Sequence, residues 1–415
     1  MTFKVYSLKE VYRQEEQKKR LALQKALAQI LIRKGYTGSF RFFRSSGRTE
    51  LGGNHTDHNL GLVLASSIDL DIMACATPTA ERRVCLFSHQ YKKPYQVDLS
   101  HLKVGRADNH TTEGLVRGMA FYLQKAGANI GGFTASLASL VPAGSGLSSS
   151  AAFTVLIGLI LNALYNAGRL SPITIAQAAQ QAENNYYGKP CGLMDQLVIA
   201  TGGVIAIDFK DQLKPRIIPL SLDLKAAGYE LLILNCGGSH SSLTSAYTEI
   251  RCEMAKVASF FKKEYLREVS PKEFRTAIPK LRQTLSDRAI LRAMHYFKEN
   301  ERVRRQIRAL EQKDYQTFLR LVNESGSSSY QLLQNCYLQG SVLRQEVALA
   351  LALTKDFLGQ EGACRVHGGG FAGTIQTYVP SSRTKGYLKM MRRVFGPGAA
   401  LPLQLTQSGA CELSS

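Results

Sequence analysis

The feature that most constrains the fold is a glycine- and serine-rich stretch that runs directly into an apolar segment. Residues 142–152 read Pro-Ala-Gly-Ser-Gly-Leu-Ser-Ser-Ser-Ala-Ala, and residues 151–161 are almost wholly apolar, which predicts a buried helix. Glycine lets a backbone approach a bound group, and the first amides of a helix lack intrahelical partners at the positive end of its dipole. The stretch therefore predicts an anion site with a nucleotide phosphate as its natural ligand. The alternative is a serine-capped helix after a flexible turn.

Length and charge limit the classes of protein to consider. A chain of 415 residues is too long for one ordinary hydrophobic core, so we expect two domains. The net charge of +20 suits anionic partners, and nucleic acid or a membrane surface must be weighed. Much of that charge lies in mixed segments such as residues 302–308, which is typical of solvated helix faces. We therefore expect neither a nucleic-acid nor a membrane partner.

Cysteine spacing and apolar runs indicate the compartment. The eight cysteines form no Cys-x-x-Cys pair and no Cys/His spacing suited to zinc, so reduced thiols are the simplest interpretation. The first residues lack the apolar core of a signal peptide. No apolar run reaches the roughly 20 residues that cross a bilayer. These observations predict a cytoplasmic protein.

Hydrophobic periodicity outlines the organisation of the chain. Residues 7–34 have apolar side chains at helical spacing, which predicts an amphipathic helix or helix pair. A first unit to about residue 214 mixes strands and helices, with strands expected at 40–43, 62–65, 68–73 and 204–208 and a glycine-studded loop at 47–61. A second unit starts with a strand at 230–235 and continues with a helix-rich region at 243–356. Residues 368–373 satisfy Gly-x-Gly-x-x-Gly, but no helix is expected after them, so we interpret them as a tight turn between strands.

The sequence contains candidates for each part that phosphoryl transfer needs: a backbone cradle, a divalent cation, a carboxylate and a facing positive charge. Ser148, Ser149 and Ser150 offer hydroxyls to phosphate or to Mg²⁺, which prefers hard oxygen ligands. Glu183 and Asp195 are the candidate carboxylates, and Arg48 is the candidate cation. There is no Gly-x-x-x-x-Gly-Lys-Ser/Thr loop and no protein-kinase catalytic loop.

Two histidines form a competing candidate. His55, Asp57 and His58 could be argued as metal ligands, because histidines three apart with a carboxylate between them have suitable chemistry. No further Cys or His cluster in the sequence completes such a site.

Four segments together resemble the signatures of galactokinases in the GHMP small-molecule kinase superfamily. These segments are residues 47–61, 142–152, 188–196 and 362–373, and they follow the family's order at about its spacing. The resemblance implies an α+β, two-domain GHMP kinase fold with the active site between the domains. The implied divisions are a helical extension (1–35), a ribosomal protein S5 domain 2-like N-terminal domain (36–214) and a ferredoxin-like C-terminal domain (215–415).

The resemblance also implies a role for each matching residue in an ATP-dependent sugar 1-kinase, with galactose as the expected sugar. Asp195 would be the base that takes the proton of the anomeric hydroxyl, and Arg48 would keep it ionised and stabilise the transition state. Ser150 and Glu183 would bind Mg²⁺. The implied sugar-binding residues are Asn54, His55, Thr56, Asp57 and Tyr247. The implied ATP-binding residues are Ser88, Gly144, Ser145, Gly146, Leu147, Ser148, Ser149 and Ser150.

Four positions depart from the family pattern. Asn54 stands where the family has Glu, His58 where it has Tyr, Glu50 where it has Asn, and Gly326 where His is usual. A carboxylate only accepts a hydrogen bond from a sugar hydroxyl, whereas an amide also donates. Galacturonate is therefore an alternative substrate.

Two other classes of function stay open. Some galactokinase-like proteins sense sugar and ATP without transferring phosphate, although the intact serine run, Asp195 and Arg48 favour an enzyme. A basic nucleic-acid-binding module would show steeply salt-dependent binding. We expect a monomer or a weak homodimer that binds only its sugar, ATP and Mg²⁺.

Overall fold

A computed structural model of the chain describes residues 2–88, 93–103, 105, 109–142, 144–237, 243–338, 340–371 and 373–414. The strands in these ranges are β1 (Val5–Tyr6), β2 (Arg41–Gly52), β3 (Leu62–Pro78), β4 (Arg83–Ser88), β5 (Tyr95–Asp98), β6 (Phe133–Ser139), β7 (Val204–Asp208), β8 (Arg216–Leu220), β9 (Tyr229–Asn235), β10 (Ala363–Val366), β11 (Thr374–Pro380), β12 (Ala400–Leu403) and β13 (Cys411–Leu413). The helices are α1 (Leu8–Val11), α2 (Gln14–Arg33), α3 (Thr112–Lys125), α4 (Ser149–Tyr165), α5 (Pro172–Asn185), α6 (Met194–Thr201), α7 (Thr244–Phe260), α8 (Pro271–Thr284), α9 (Asp287–Glu311), α10 (Tyr315–Ser328), α11 (Glu346–Leu358) and α12 (Thr384–Phe395).

The first lobe is built on a nine-stranded mixed sheet. Its order is β1-β13-β2-β3-β6-β4-β5, and β7 and β8 extend it from β3. Successive side chains of a strand face opposite sides of a sheet. On β3, Ile72 and Ala74 accordingly pack with α3, α4 and α5, while Met73 and Cys75 pack with α2. Helices therefore cover both faces, and α4 is the buried helix that the sequence predicts.

The predicted N-terminal helix pair is α1 and α2, and it is joined to the sheet by a buried polar cluster. Asp71 of β3 is wholly buried and accepts hydrogen bonds from Tyr12, Arg20 and Arg44, each at 2.6 Å. Leu27 of α2 is also wholly buried. The segment with α1 and α2 is therefore an integral part of this lobe's packing.

The second lobe contains an antiparallel four-stranded sheet of order β10-β11-β9-β12. Helices α11 and α12 pack on this sheet, while α9 and α10 contact β2 of the first lobe. The glycine-rich turn that the sequence predicts connects β10 to β11. One mixed and one antiparallel sheet, each with packed helices, confirm the predicted α+β class.

Two local features differ from the sequence predictions. The expected loop at residues 47–61 begins only after Gly52, because Arg48, Thr49 and Glu50 are paired in β2 against β3. Irregular register near Ser46 and after Glu50 accommodates the glycines. The two short strands expected between residues 62 and 73 are one strand, β3. Sequence analysis missed most of β2 because its polar residues are typical of a loop. The groups that contact these residues lie far away in the sequence.

The described part of the chain contains no helix that is both long enough and apolar enough to cross a bilayer.

Candidate active site

The glycine- and serine-rich loop adopts a conformation suited to an anion. Gly144, Gly146 and Ser148 have positive φ values of 70°, 69° and 61°, so every second residue is left-handed. Backbone that alternates in this manner turns successive amides towards one concavity. Ser148 is the N-cap of α4, so the free amides of the first helical turn add to the same region. This loop can therefore cradle phosphate oxygens.

Asp195 lies in the first turn of α6 and makes a two-bond pair with Arg48. Arg48 Nε is 2.7 Å from Oδ1 and Nη2 is 2.9 Å from Oδ2, a bidentate geometry that fixes both groups. Ser148 Oγ also donates to Asp195, and Arg48 donates to the Gly146 carbonyl. The carboxylate, the guanidinium and the phosphate loop thus form one connected unit. The Asp195 side chain is 21% exposed and can reach a ligand.

The charge state of Asp195 follows from these contacts. Burial raises the pKa of the Asp195 carboxyl, but the charge of Arg48 and the hydrogen bonds from Ser148 and Arg48 outweigh it, so the net pKa lies below the ordinary value. At neutral pH the group is a carboxylate that can accept the hydrogen of a hydroxyl.

Beside this unit lie two half-buried side chains of the loop after β2. His55 stacks against Tyr247 of α7 with ring centroids 6.4 Å apart, and its Nε2 donates to the Gly369 carbonyl at 2.9 Å. Burial lowers the pKa of His55 to about 4, so the ring is neutral and its Nδ1 is an acceptor. Tyr247 Oη donates to the Gly370 carbonyl at 3.3 Å. The ring of His55, from the first lobe, and the ring of Tyr247, from the second lobe, together line one side of the candidate site.

Asp57 is the second such side chain, and it depends on Gly192. A Cβ atom at position 192 would lie 1.6 Å from Asp57 Oδ2, so any larger residue would displace the Asp57 carboxylate. Burial, followed by the charge of Asp195, raises the pKa of Asp57 to about 6. Asp57 is therefore next to Asp195 in space and is ionised above about pH 6.

The contact between Gly192 and Asp57 gives a testable prediction. We expect Gly192→Ala to lower kcat/KM for the sugar about 100-fold, because the new methyl group must displace Asp57 by an ångström or more. The KM for ATP should change little. Steady-state kinetics will measure both, with Gly398→Ala as the control, since nothing lies within 4 Å of a Cβ there. Equal effects of the two variants would contradict the assignment.

Asn54 and Thr56 are placed differently from the expectation. The Asn54 amide donates to Glu50 Oε1 at 3.0 Å and to the Gly368 carbonyl at 2.8 Å, and its oxygen accepts from Asn335 at 2.9 Å. The Thr56 hydroxyl lies within hydrogen-bond distance of two backbone carbonyls, at 2.7 and 2.9 Å. Both residues are at most 1% exposed. Because protein groups occupy their polar atoms, we expect them to order the loop rather than to contact a sugar directly.

The departures at positions 50 and 54 turn out to be coupled. The family pattern has Asn at the first position and Glu at the second, and here the two residue types are exchanged but remain in contact. Arg365 of β10, wholly buried, donates to Glu50 and so joins the second lobe to β2. The carboxylate missing at position 54 is thus present at position 50.

Glu183 and Ser150 provide oxygens that fit Mg²⁺. Ser150 Oγ donates to Glu183 Oε2 at 2.9 Å, and Gln196 Nε2 donates to Glu183 Oε1 at 2.8 Å. Lys189 Nζ lies 3.7 Å from the same carboxylate, so this point already attracts positive charge. One carboxylate and one hydroxyl match the few protein ligands that Mg²⁺ takes when phosphates and water supply the others.

The histidine metal site receives no support from the structure. Among the residues described, no three His, Cys, Asp or Glu side chains come together as they do in a dedicated metal centre. His55 and His58 have ring centroids 5.9 Å apart and lie edge to face.

The remaining predicted ATP contacts surround the same loop. Ser88 ends β4 opposite Leu137 of β6, the parallel strand that leads into the loop, and residues 89–92 lie outside the described ranges. Ser145 Oγ donates to the Pro142 carbonyl at 2.6 Å, which closes the turn. Leu147 is wholly buried, and Ser149 begins α4. Gly146 faces the second lobe, since a Cβ there would meet Thr374 Oγ1 at 2.6 Å.

Sequence reasoning missed the residues of the second lobe that hold the loop between β2 and β3 (residues 53–61), which we call the sugar loop after its predicted role. Glu299 accepts from the Gly53 amide at 3.1 Å, and His295 Nε2 lies 2.9 Å from the Asn54 carbonyl. These two side chains are one turn apart on α9, which contains so many charged residues that no signal separates them. Arg365 could have been recognised from the sequence, because it is a single charged residue inside an otherwise apolar strand.

Comparisons with known proteins identify the class. The model for the GHMP kinases N terminal domain matches residues 114–203, and the galactokinase galactose-binding signature matches residues 33–78. The crystal structure of Methanococcus jannaschii mevalonate kinase shares the fold, with a TM-score of 0.62 and 16% identity over 89% of this chain and 99% of that one. The fold is therefore that of the GHMP kinases, as predicted.

Two relatives narrow the class to a family. The crystal structure of Lactococcus lactis galactokinase complexed with galactose has a TM-score of 0.81 and 25% identity over 94% of this chain and 99% of that one. A galactokinase from Clostridium tetani is 30% identical over 354 residues, 83% of this chain and 86% of the relative. The chain belongs to the galactokinase family.

Proposed function

We propose that this protein transfers the γ-phosphoryl group of ATP to the anomeric hydroxyl of galactose, giving ADP and galactose 1-phosphate. The observation that carries the proposal is the contact of Asp195 with both Arg48 and Ser148. This contact joins an ionised carboxylate to the glycine- and serine-rich loop, which supports a role for Asp195 between a sugar hydroxyl and the terminal phosphate of ATP. Membership of the galactokinase family supports the choice of sugar.

Each part of the proposed transfer is assigned to residues of this chain. The amides of residues 144–150 bind the ATP phosphates, while Asp57, His55 and Tyr247 position the sugar. Asp195 accepts the proton of the anomeric hydroxyl. The oxygen of that hydroxyl bonds to the γ-phosphorus while the bond between the γ-phosphorus and the ADP oxygen breaks. Arg48 faces the charge that develops on the transferring group. Ser150 and Glu183 would hold Mg²⁺, which would neutralise phosphate charge.

A substrate panel tests the proposal. ADP release should be followed with galactose, other hexoses, pentoses and galacturonate, each with ATP and Mg²⁺. We expect galactose to give the highest kcat/KM. The case for galacturonate rests on the carboxylate lost at position 54, on the amide that replaces it and on the basic chain, but Glu50 keeps a carboxylate beside Asn54 and protein groups occupy the amide. A preference for the uronate, or binding of galactose and ATP without turnover, would overturn the proposal in favour of the alternative substrate or the sensor.

Asp57 gives a pH prediction. Its pKa of about 6 is raised by burial and by Asp195, so lowering the pH through 6 protonates it. We expect kcat/KM for galactose to fall about tenfold per pH unit below that value, because the neutral acid is a poorer acceptor for sugar hydroxyls. Asp57→Asn should have low activity and lack this limb. A wild-type profile that stays flat down to about pH 5 would contradict the role of Asp57.

We also propose a cytoplasmic monomer or weak homodimer without nucleic-acid or membrane partners. All eight cysteines are free, which supports a reducing compartment. Size-exclusion chromatography with light scattering will measure the oligomeric state.

A further inference from the structure

In addition to the candidate active site, the second lobe contains a charged cavity that lies away from the phosphate loop. It is a groove of about 370 Å³ between α9, α10 and the turn of π-helix that follows α10 (Ser329–Leu333). Its lining includes Lys298, Arg302, Arg320, Glu324, Ser327 and Ser328. We call it the α9–α10 groove.

Positive charge in the α9–α10 groove exceeds what its acids can neutralise. Arg302, Arg305 and Arg320 approach the carboxylate of Glu324, at 3.8, 3.5 and 2.5 Å, and Arg302 also pairs with Glu299, so three guanidinium groups share two carboxylates. Lys298 adds a further cation to the lining. Like charges this close repel one another unless an anion joins them.

Arg302 is the buried member of the groove. It is 8% exposed, and its Nε has no hydrogen-bond partner among the described groups. A buried guanidinium donor without an acceptor costs free energy that a bound oxyanion would recover. Arginine forks and hydroxyl groups suit the oxygens of a phosphate. The chemistry of the lining therefore favours a phosphate group.

The walls of the groove are connected to the sugar loop by two short chains of hydrogen bonds. Arg302 donates to Glu299, whose other oxygen accepts from the Gly53 amide at 3.1 Å. Ser328 Oγ lies 2.9 Å from His295 Nδ1, and His295 Nε2 lies 2.9 Å from the Asn54 carbonyl.

The protonation state of His295 determines which atoms donate in the hydrogen bonds from Ser328 through His295 to Asn54. Burial lowers the pKa of His295, so the ring has one N–H. That hydrogen is on Nε2, because the Asn54 carbonyl can only accept, and Nδ1 therefore accepts from the Ser328 hydroxyl. An anion that takes the Ser328 hydrogen would remove this bond and alter the support of the loop.

We propose that the α9–α10 groove binds a phosphate group, either inorganic phosphate or the phosphate of a small monoester such as a sugar phosphate, and that this binding changes the affinity of the enzyme for its sugar. Binding of the anion is independent of the proposed function, whereas the effect on the sugar rests on it. Linkage requires that the sugar change the affinity for phosphate by the same factor.

Calorimetry on the full chain tests the anion site. The phosphate loop is first saturated with a non-hydrolysable ATP analogue, and inorganic phosphate or glycerol 1-phosphate, a small monoester without the sugar of the proposed product, is then titrated at fixed ionic strength. The test variant is Lys298→Gln with Arg320→Gln, both exposed residues. The matched control is Lys280→Gln with Arg282→Gln, exposed residues of α8 that remove the same charge elsewhere. We expect one phosphate site in wild type and control, and at least tenfold weaker binding in the test variant.

The same samples test the coupling. Galactose affinity, measured with and without saturating phosphate, should change about fivefold or more in wild type and control and stay constant in the test variant. Absence of phosphate binding to the blocked enzyme, or equal binding by all three proteins, overturns the site. Binding at the groove with unchanged galactose affinity overturns the coupling. Because calorimetry needs no turnover, these results are independent of whether the substrate panel succeeds. The two titrants separate free phosphate from a monoester as the natural ligand.

Discussion

Replacing Asp195 with asparagine is expected to lower kcat with galactose by about 10²- to 10⁴-fold, because the amide keeps the shape of the side chain but cannot take the hydroxyl proton. ATP and galactose should still bind. The amide no longer balances the charge of Arg48, so the nucleotide should bind at least as tightly as in wild type. Steady-state and single-turnover assays will measure the rate, and calorimetry will measure both affinities.

The control for this experiment is Asp287→Asn. Asp287 is also in the first turn of a helix and is paired with an arginine through both oxygens, at 2.9 and 3.4 Å from Arg282, but its side chain is 65% exposed. That variant should keep wild-type turnover. If Asp195→Asn retained most of its activity, the assignment of the base would be wrong. Loss of galactose binding in that variant would instead indicate that Asp195 acts mainly in positioning the sugar.

The second large effect concerns stability. Asp71→Asn should lower the free energy of unfolding by about 3–5 kcal/mol, because it leaves two buried guanidinium groups without their shared counter-charge. Arg20 and Arg44 both depend on this carboxylate, and their side chains are 5% and 0% exposed. Urea denaturation followed by circular dichroism will measure the change.

A half-exposed ion pair provides the comparison. Glu412 pairs with Arg41, whose side chain is 34% exposed, so Glu412→Gln should cost at most about 1 kcal/mol. Similar losses in the two variants would contradict the view that burial of the Asp71 cluster makes the N-terminal helices part of the lobe.

Local sequence predicted the conformation of the glycine- and serine-rich loop and the helix after it. Glycines that need positive φ values, a serine N-cap and an apolar helix are neighbours in the chain, so their pattern describes their structure. The turn between β10 and β11 was predictable for the same reason, since its glycines and flanking strands are adjacent. The pairing of Asp195 with Arg48 joins residues 147 positions apart, and only the family resemblance brought them together.

Long-range contacts explain what local sequence could not provide. A run such as Arg48-Thr49-Glu50 has the composition of a loop, and it is a buried strand because Asp195, Arg365 and Gln376 meet its polar groups. The inward position of Asn54 likewise depends on Asn335, which is 281 residues away. No pattern within either segment indicates such partners.

The arrangement of the outermost strands bears on how the protein is made. β13 lies between β1 and β2, pairing parallel with the first and antiparallel with the second. During synthesis β2 emerges from the ribosome early, yet its neighbour arrives only with residues 411–413. The first lobe therefore completes its sheet only after residues 411–413 have been translated, so this last pairing cannot form while the residues of the second lobe are still being synthesised.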